Sequence, residues 1–280
     1  MKIKNYITGS ILFFTIMACV VPGLSQPVPP TFDLNLIPTM VVLTANALEA
    51  QTAVAALQIP LETPTLAPIE SATATPKVSF AGTSLFLRDD QTTVFTDYRV
   101  GVELIIPTGW LAVRINEDEY YDAWVLPELS NPAYQRALAS IQDRDPNEAR
   151  LYILDIQEGH LQGGMVTNVN LFLYTKEEIA LEDNADVSSI ADSFAKAMPG
   201  LEVLSAKLSA TPGGIPIGIS TSKMPAITVE NVDVIVFYKQ IFLKSKMGLL
   251  TITLTTTEEL KDAVLPGFDA MIETIRVSAE

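Results

Sequence analysis

The chain has 280 residues, with 18 Lys and Arg against 33 Asp and Glu, a formal charge of -15, and 48% hydrophobic residues. So acidic a surface is repelled by phosphate backbones and anionic headgroups, which excludes nucleic acid as a partner and any charge-driven seating of the body on a membrane. A single cysteine permits no intramolecular disulfide, so folding must rest on an apolar core.

Residues 1–18 have the layout of a secretory signal: Lys2 and Lys4, an apolar run from Ile7 to Ala18, and a small residue before the cut. That run is shorter than the roughly 20 residues a bilayer span needs. The segment Thr15-Ile16-Met17-Ala18-Cys19 resembles a bacterial lipobox. The resemblance implies that Cys19 is acylated, becomes the new N-terminus and holds the protein by lipid on the extracytoplasmic side of the cell membrane. Each acyl chain contributes about 0.8 kcal/mol per buried methylene, so two or three chains anchor stably where one would not. Cleavage removes two lysines and no acid, which leaves 16 basic residues against 33 acidic ones. Val20 follows the cysteine, so the aspartate that retains some lipoproteins at an inner membrane is absent.

Residues 19–77 read as lipidated cysteine and tether. From Val20 to Pro76 there are nine prolines, many Ala and Thr, four acids and no Lys or Arg, a composition that favours extended, poorly packed chain. Residues 40–57 lack proline. There Met40, Leu43, Ala47, Ala50, Val54 and Leu57 recur at 3-4 spacing, which predicts a short helix of coiled-coil period or an alanine-rich spacer of partial helicity. As a random coil the tether spans about 40 Å root-mean-square, enough to hold the body clear of the headgroups.

Residues 78–280 have the length of one compact domain. Val100, Val102, Leu104 and Ile106 alternate with polar or small residues as a strand, and Pro107-Thr108-Gly109 turns the chain into a second strand at 111–115. Asn131 as N-cap and Pro132 at the first position open a helix carrying Tyr134, Ala137, Leu138 and Ile141 on one face. Strands are predicted at 151–156 and 167–174. A second helix follows, with Val187, Ile190, Ala191, Phe194, Ala197 and Met198 as its apolar stripe and Pro199-Gly200 as its stop. Glu177, Glu178, Glu182, Asp183 and Asp186 charge the start of that helix favourably against its dipole. Four more strands are predicted at 203–209, 215–221, 232–243 and 249–255, the last two joined as a hairpin through Lys244-Ser245-Lys246. Thr256 and Glu259 are spaced as a capping box, and Pro266 starts a closing helical segment with Phe268, Met271, Ile272 and Ile275 on one face. Strands grouped with amphipathic helices predict an α+β fold, an antiparallel β-sheet packed by helices.

The strand running into Ile106-Pro107-Thr108-Gly109-Trp110, the long hairpin and the closing Phe268-Asp269-Ala270-Met271-Ile272-Glu273-Thr274-Ile275-Arg276 together resemble the PsbP and DcrB superfamily. This α/β/α sandwich is shared by a photosystem II extrinsic protein, a Ran-binding import factor and many bacterial lipoproteins. The resemblance covers roughly residues 78–280 and implies a non-catalytic accessory or binding domain. No functional motif of a characterised member is present, so no site residue carries over.

His160 is the only histidine, in the loop Glu158-Gly159-His160-Leu161-Gln162-Gly163-Gly164, and any Ser-His-Asp triad must use it. No nucleophile elbow, Walker loop or dinucleotide fingerprint accompanies it, so it reads as a solvated loop histidine. The densest acidic and aromatic cluster is Glu117, Asp118, Glu119, Tyr120, Tyr121 and Trp124. It reads as a solvated loop with core aromatics, as a partner-binding patch, or as hard-cation ligands that lack the calcium-loop spacing. No cofactor or metal is expected.

The sequence therefore predicts a surface lipoprotein whose non-catalytic domain binds another envelope protein. The alternative is an extracytoplasmic module for a small ligand held between sheet and helix, for which an apolar pocket with a few convergent polar groups is the mark. A hydrolase dependent on His160 is a third reading.

Overall fold

The computed structural model describes residues 77–175, 179–229 and 231–278. The expected leader, Cys19, the tether with its 40–57 segment, and Glu177 and Glu178 of the acidic run before the second helix lie outside the described residues.

Two antiparallel sheets form the body. The smaller has the order β1 (Thr83–Leu87), β2 (Thr93–Asp97), β3 (Val102–Ile106) and β13 (Arg276–Val277). The larger has seven strands in the order β4 (Trp110–Val113), β5 (Ala149–Asp155), β8 (Asn168–Tyr174), β12 (Gly248–Thr257), β11 (Val232–Ser245), β10 (Pro216–Val229) and β9 (Glu202–Ala210). A short hairpin, β6 (Leu161–Gln162) with β7 (Met165–Val166), stands apart. The helices are α1 (Asp118–Ala123), α2 (Pro132–Ile141), α3 (Asn184–Ala197) and α4 (Lys261–Glu273). The fold is thus α+β, antiparallel sheets packed by amphipathic helices, as the periodicity predicts.

Local chemistry accounts for most boundaries. The Asn131 side chain accepts from the Ala133 N–H with Pro132 at the first helical position, so α2 starts where its cap dictates. At α3, Asp183 accepts from the Asp186 N–H while the Asp186 carboxylate reaches back to the Asp183 N–H, a reciprocal capping box. The β11–β12 hairpin turns on Lys246 and Met247, one residue later than the predicted link, because Ser245 still pairs with Gly248. β10 runs on to Val229, well past the predicted end at Thr221, by bulging between Met224 and Ile227 around Pro225.

The capping box predicted at Thr256 and Glu259 does not form. Thr256 is buried in β12 with its hydroxyl 2.7 Å from that of Thr167, and Glu259 bonds Gln162 instead. α4 begins at Lys261, where the Leu260 N–H donates to Thr257 Oγ1. Pro266 therefore lies inside the helix, on its exposed side, where water can reach the carbonyl that the missing N–H leaves free.

The seven-stranded sheet is the central layer. On its first face Leu151, Ile153, Leu171, Ile252 and Leu254 pack against Leu104 and Ile106 of the small sheet and Phe268 and Met271 of α4 in one core. Its second face carries two separate apolar clusters. One joins Tyr152 and Leu154 to Tyr120, Leu129 and Leu138 of the α1–α2 region. The other joins Phe242 and Leu249 to Val187, Ile190 and Phe194 of α3. Gly218 lets α3 close on the sheet: a Cβ there would lie 3.0 Å from Leu181 and 3.1 Å from Phe242 and Val187.

Candidate functional site: a cleft on the second sheet face

Between the two helical buttresses the second face carries polar side chains in place of apolar ones. The register sets them in cross-strand rows. Tyr152 faces Asn170, Asn170 faces Thr253, Thr253 faces Gln240, and Gln240 faces Ser220, so one row crosses β5, β8, β12, β11 and β10. A second row runs through Asn168, Thr255, Tyr238 and Ser222. Directly opposed residues share a face, and neighbouring strands lie about 4.8 Å apart, so the longer row extends about 19 Å.

The cleft over these rows has a cavity volume of about 50 Å³. Asn170, Thr253, Thr255, Gln240, Ser222 and Thr251 supply its polar floor. Phe194, Met198 and Leu201 form one apolar wall, and Ile115, Ile141 and Phe172 belong to the other side. The α3 wall is rigidly placed. Phe194 stacks on Phe242 with ring centroids 5.9 Å apart, and Gly200, at φ 94°, turns the chain after α3 so that Leu201 comes back onto the sheet.

Ser222 and Thr251 are each 1% exposed, line the cleft, and have hydroxyl oxygens with no hydrogen-bond partner among the described residues; Ser220, also 1% exposed and in the same rows, is in the same state. An unmade hydrogen bond at a buried polar atom destabilises by about 1–3 kcal/mol, and buried side-chain oxygens in folded proteins are paired as a rule. Two such hydroxyls on the floor of the cleft, and a third in a cross-strand row that crosses it, set this face apart from the apolar first face. Among the described residues Arg144 is the one charged residue on the lining, and it is engaged by another group of the protein.

The acidic and aromatic cluster singled out in the sequence lies around α1. Asp118 is exposed and pairs with Lys77 at 2.6 Å, which raises the lysine and lowers the carboxylate from their usual ranges through that shared hydrogen bond. Glu119 chelates the buried Arg114, whose guanidinium also donates to the Thr83 carbonyl. Tyr120 is 1% exposed, donates to the Leu138 carbonyl, and meets Tyr121 and Trp124 edge-on. Glu117 and Trp124 are half-buried and Tyr121 is exposed, so one helical turn divides the cluster between core and surface.

His160 differs from its reading as a solvated residue. Its side chain is 18% exposed, and Nδ1 lies 2.6 Å from Oδ2 of Asp155, which is fully buried. Asp155 Oδ1 accepts from the Gln157 N–H, and its backbone carbonyl accepts from Tyr134. The histidine thus fastens the 157–160 turn to β5. Among the described residues no group of three or more His, Cys, Asp or Glu gathers as a metal site, and no helix is long and apolar enough to cross a membrane.

The sequence carried a trace of the cleft that periodicity alone did not turn into a site. In β8 and β12 the residues between the core positions are Asn168, Asn170, Thr251, Thr253 and Thr255, polar groups on a strand face that is nonetheless largely buried. Alternation identifies each strand, but the rows exist only through pairing between strands distant in the chain.

The fold defines the chain as an α+β sandwich of antiparallel sheets. No family model matches it, and no curated protein matches it. Among solved structures it is similar to the cyanobacterial PsbP of Synechocystis sp. PCC 6803, with 15% identity, a TM-score of 0.39, and coverage of 74% of this chain and 99% of that one. It is also similar to LpqN of Mycobacterium tuberculosis, described as involved in cell envelope biogenesis, at 12% identity and TM-score 0.38 over 70% of this chain and 91% of that one. A third is the Ran-binding protein Mog1p of Saccharomyces cerevisiae, at 10% identity and TM-score 0.40 over 66% and 95%. The likeness is one of fold, and no site residue carries over from it.

Proposed function

We propose that the chain is an extracytoplasmic lipoprotein, associated with the cell envelope, whose domain is a non-catalytic binding module for a small ligand seated in the cleft on the second sheet face. The observation that carries this reading is the pair of buried hydroxyls, Ser222 Oγ and Thr251 Oγ1, that have no hydrogen-bond partner among the described residues, on the floor of a cleft walled by Phe194, Met198 and Leu201. Apolar walls that exclude water, with a few fixed polar groups beneath, are what a ligand site requires. This supports the small-ligand alternative of the sequence over an envelope-protein partner. The ligand's polar end satisfies the floor, and its apolar remainder is held against α3.

Native mass spectrometry of the acylated protein, released from its own membrane, tests the reading. A bound small molecule of defined mass, lost in a Ser222→Ala and Thr251→Val double variant, is the expected result. A bare domain that instead captures one stoichiometric envelope protein on crosslinking refutes it.

A further inference from the structure

Resting on that reading, the geometry points to an uncharged amphiphile as the ligand, with a hydroxyl or carboxamide head of three to five heavy atoms and an aliphatic or aromatic remainder. Three observations converge on the head. The first is the donor and acceptor set. The floor is hydroxyl and carboxamide, from Ser222, Thr251, Thr253, Thr255, Gln240 and Asn170, and each of these groups both donates and accepts. Such a floor suits a head that also does both.

The second is charge. Among the described residues the lining contains no Asp, Glu, Lys or His, although the chain as a whole carries 33 acids. A cationic head is therefore drawn to the acidic body in general but finds no carboxylate in the cleft. An anionic head finds only Arg144, which already has a partner within the protein. A buried charge needs a counter-ion or a full set of hydrogen bonds, and the floor is built to supply neither to a single sign. The third is size. A water molecule needs about 10–15 Å³ of cavity, so 50 Å³ encloses about three to five heavy atoms; the rest of the ligand lies along Phe194, Met198 and Leu201.

Four probes that share a six-carbon skeleton isolate the head: hexanamide, 1,2-hexanediol, hexanoate and hexylamine. Hexanamide and hexanoate match in shape and differ in charge. The measurement is an NMR titration of the full chain carrying Cys19→Ser, following amide signals of β11 and β12. Hexanamide and hexanediol are expected to saturate, with signals around Gln240 and Thr253 moving most, and the two ionised probes to bind at least tenfold more weakly. Ser222→Ala and Thr251→Val should each weaken hexanamide about three- to tenfold, the worth of one net hydrogen bond. The same variants should leave Tm unchanged or raise it, because the hydroxyls they remove have no hydrogen-bond partner among the described residues; a merely structural role predicts the opposite. Hexanoate binding as tightly as hexanamide overturns the uncharged head and leaves the cleft reading standing. If no probe perturbs the cleft residues, both fall.

Discussion

Asp97 and Arg150 show how much a single pair can carry when it is buried. Their side chains are 2% and 1% exposed, with Arg150 Nε 2.6 Å from Asp97 Oδ2. The remaining valences are met: Asp97 Oδ1 accepts from the Arg99 and Val100 N–H groups, and Arg150 donates to the carbonyls of Ala81 and Pro146. The pair thereby ties β2 and β5, strands of different sheets, to the start of the domain. Removing one partner strands the other charge in the core, so Asp97→Ala is expected to lose about 3–5 kcal/mol in urea denaturation. Adding Arg150→Met should cost clearly less than the sum of the two single changes, since the stranded charge is then gone; strict additivity would contradict the coupling. Tyr134 gives a pH signature at the same scale. Burial, and then the nearby Asp155 carboxylate, push its phenol above the usual range. As pH rises past about 10 the unfolded chain releases that proton while the native state keeps it. The unfolded state then binds fewer protons, and stability falls with rising pH. The stability gap between wild type and Tyr134→Phe should accordingly narrow between pH 8 and pH 11, as followed by denaturation midpoints; a constant gap would show that the phenol is not held in its neutral form.

Elements differ in how far the sequence specifies them. α2 is legible from its cap and stripe, Asn131 and Pro132 with the apolar face that follows, and α3 from its stripe and its Pro199-Gly200 stop, whereas the Asp183 capping box emerges only in the structure. β1 and β2 are too short for alternation to mark them, although Asp89, Asp90 and Gln91, the last at φ 65°, form the turn between two short apolar runs. α1 has six residues, too few for a period to emerge, so the sequence there reads as a loop. Pro266 reads as a helix start, five residues after the true one, because tertiary packing of Val264 in the core extends α4 upstream of it. The polar rows could not be read at all, because register belongs to pairs of strands. One residue of the β11–β12 hairpin is specified by such a pairing. Gly248 sits at φ 140°, and a Cβ there would lie 2.0 Å from the Tyr174 carbonyl oxygen on β8. Gly248→Ala must therefore push β12 away from β8 at the end of the central sheet, and a loss of more than about 1 kcal/mol is expected, beyond the ordinary glycine-to-alanine effect. A neutral outcome in thermal unfolding would mean that the hairpin end is not held against β8.

At the scale of the whole molecule, the charge of the chain and the lipid expected on Cys19 act in opposite directions. Without residues 1–18 the chain carries 16 basic residues against 33 acidic ones, so an anionic membrane surface repels the body. Among the described residues the central sheet is covered on one face by β1–β3 and α4 and on the other by α1–α3. Membrane attachment and folding should then be separable. With Cys19→Ser the protein is expected to leave the membrane fraction for the soluble one while its thermal unfolding curve stays where it was, because no group in the core has changed. The unacylated form should also fail to sediment with anionic vesicles at low salt, the condition in which any electrostatic attraction is least screened. Retention of Cys19→Ser on membranes would mean that the body has a lipid-binding face after all. Release together with a lowered Tm would mean that acylation supports the fold. Only release at constant Tm fits a domain that presents its cleft from the end of a lipid-held tether.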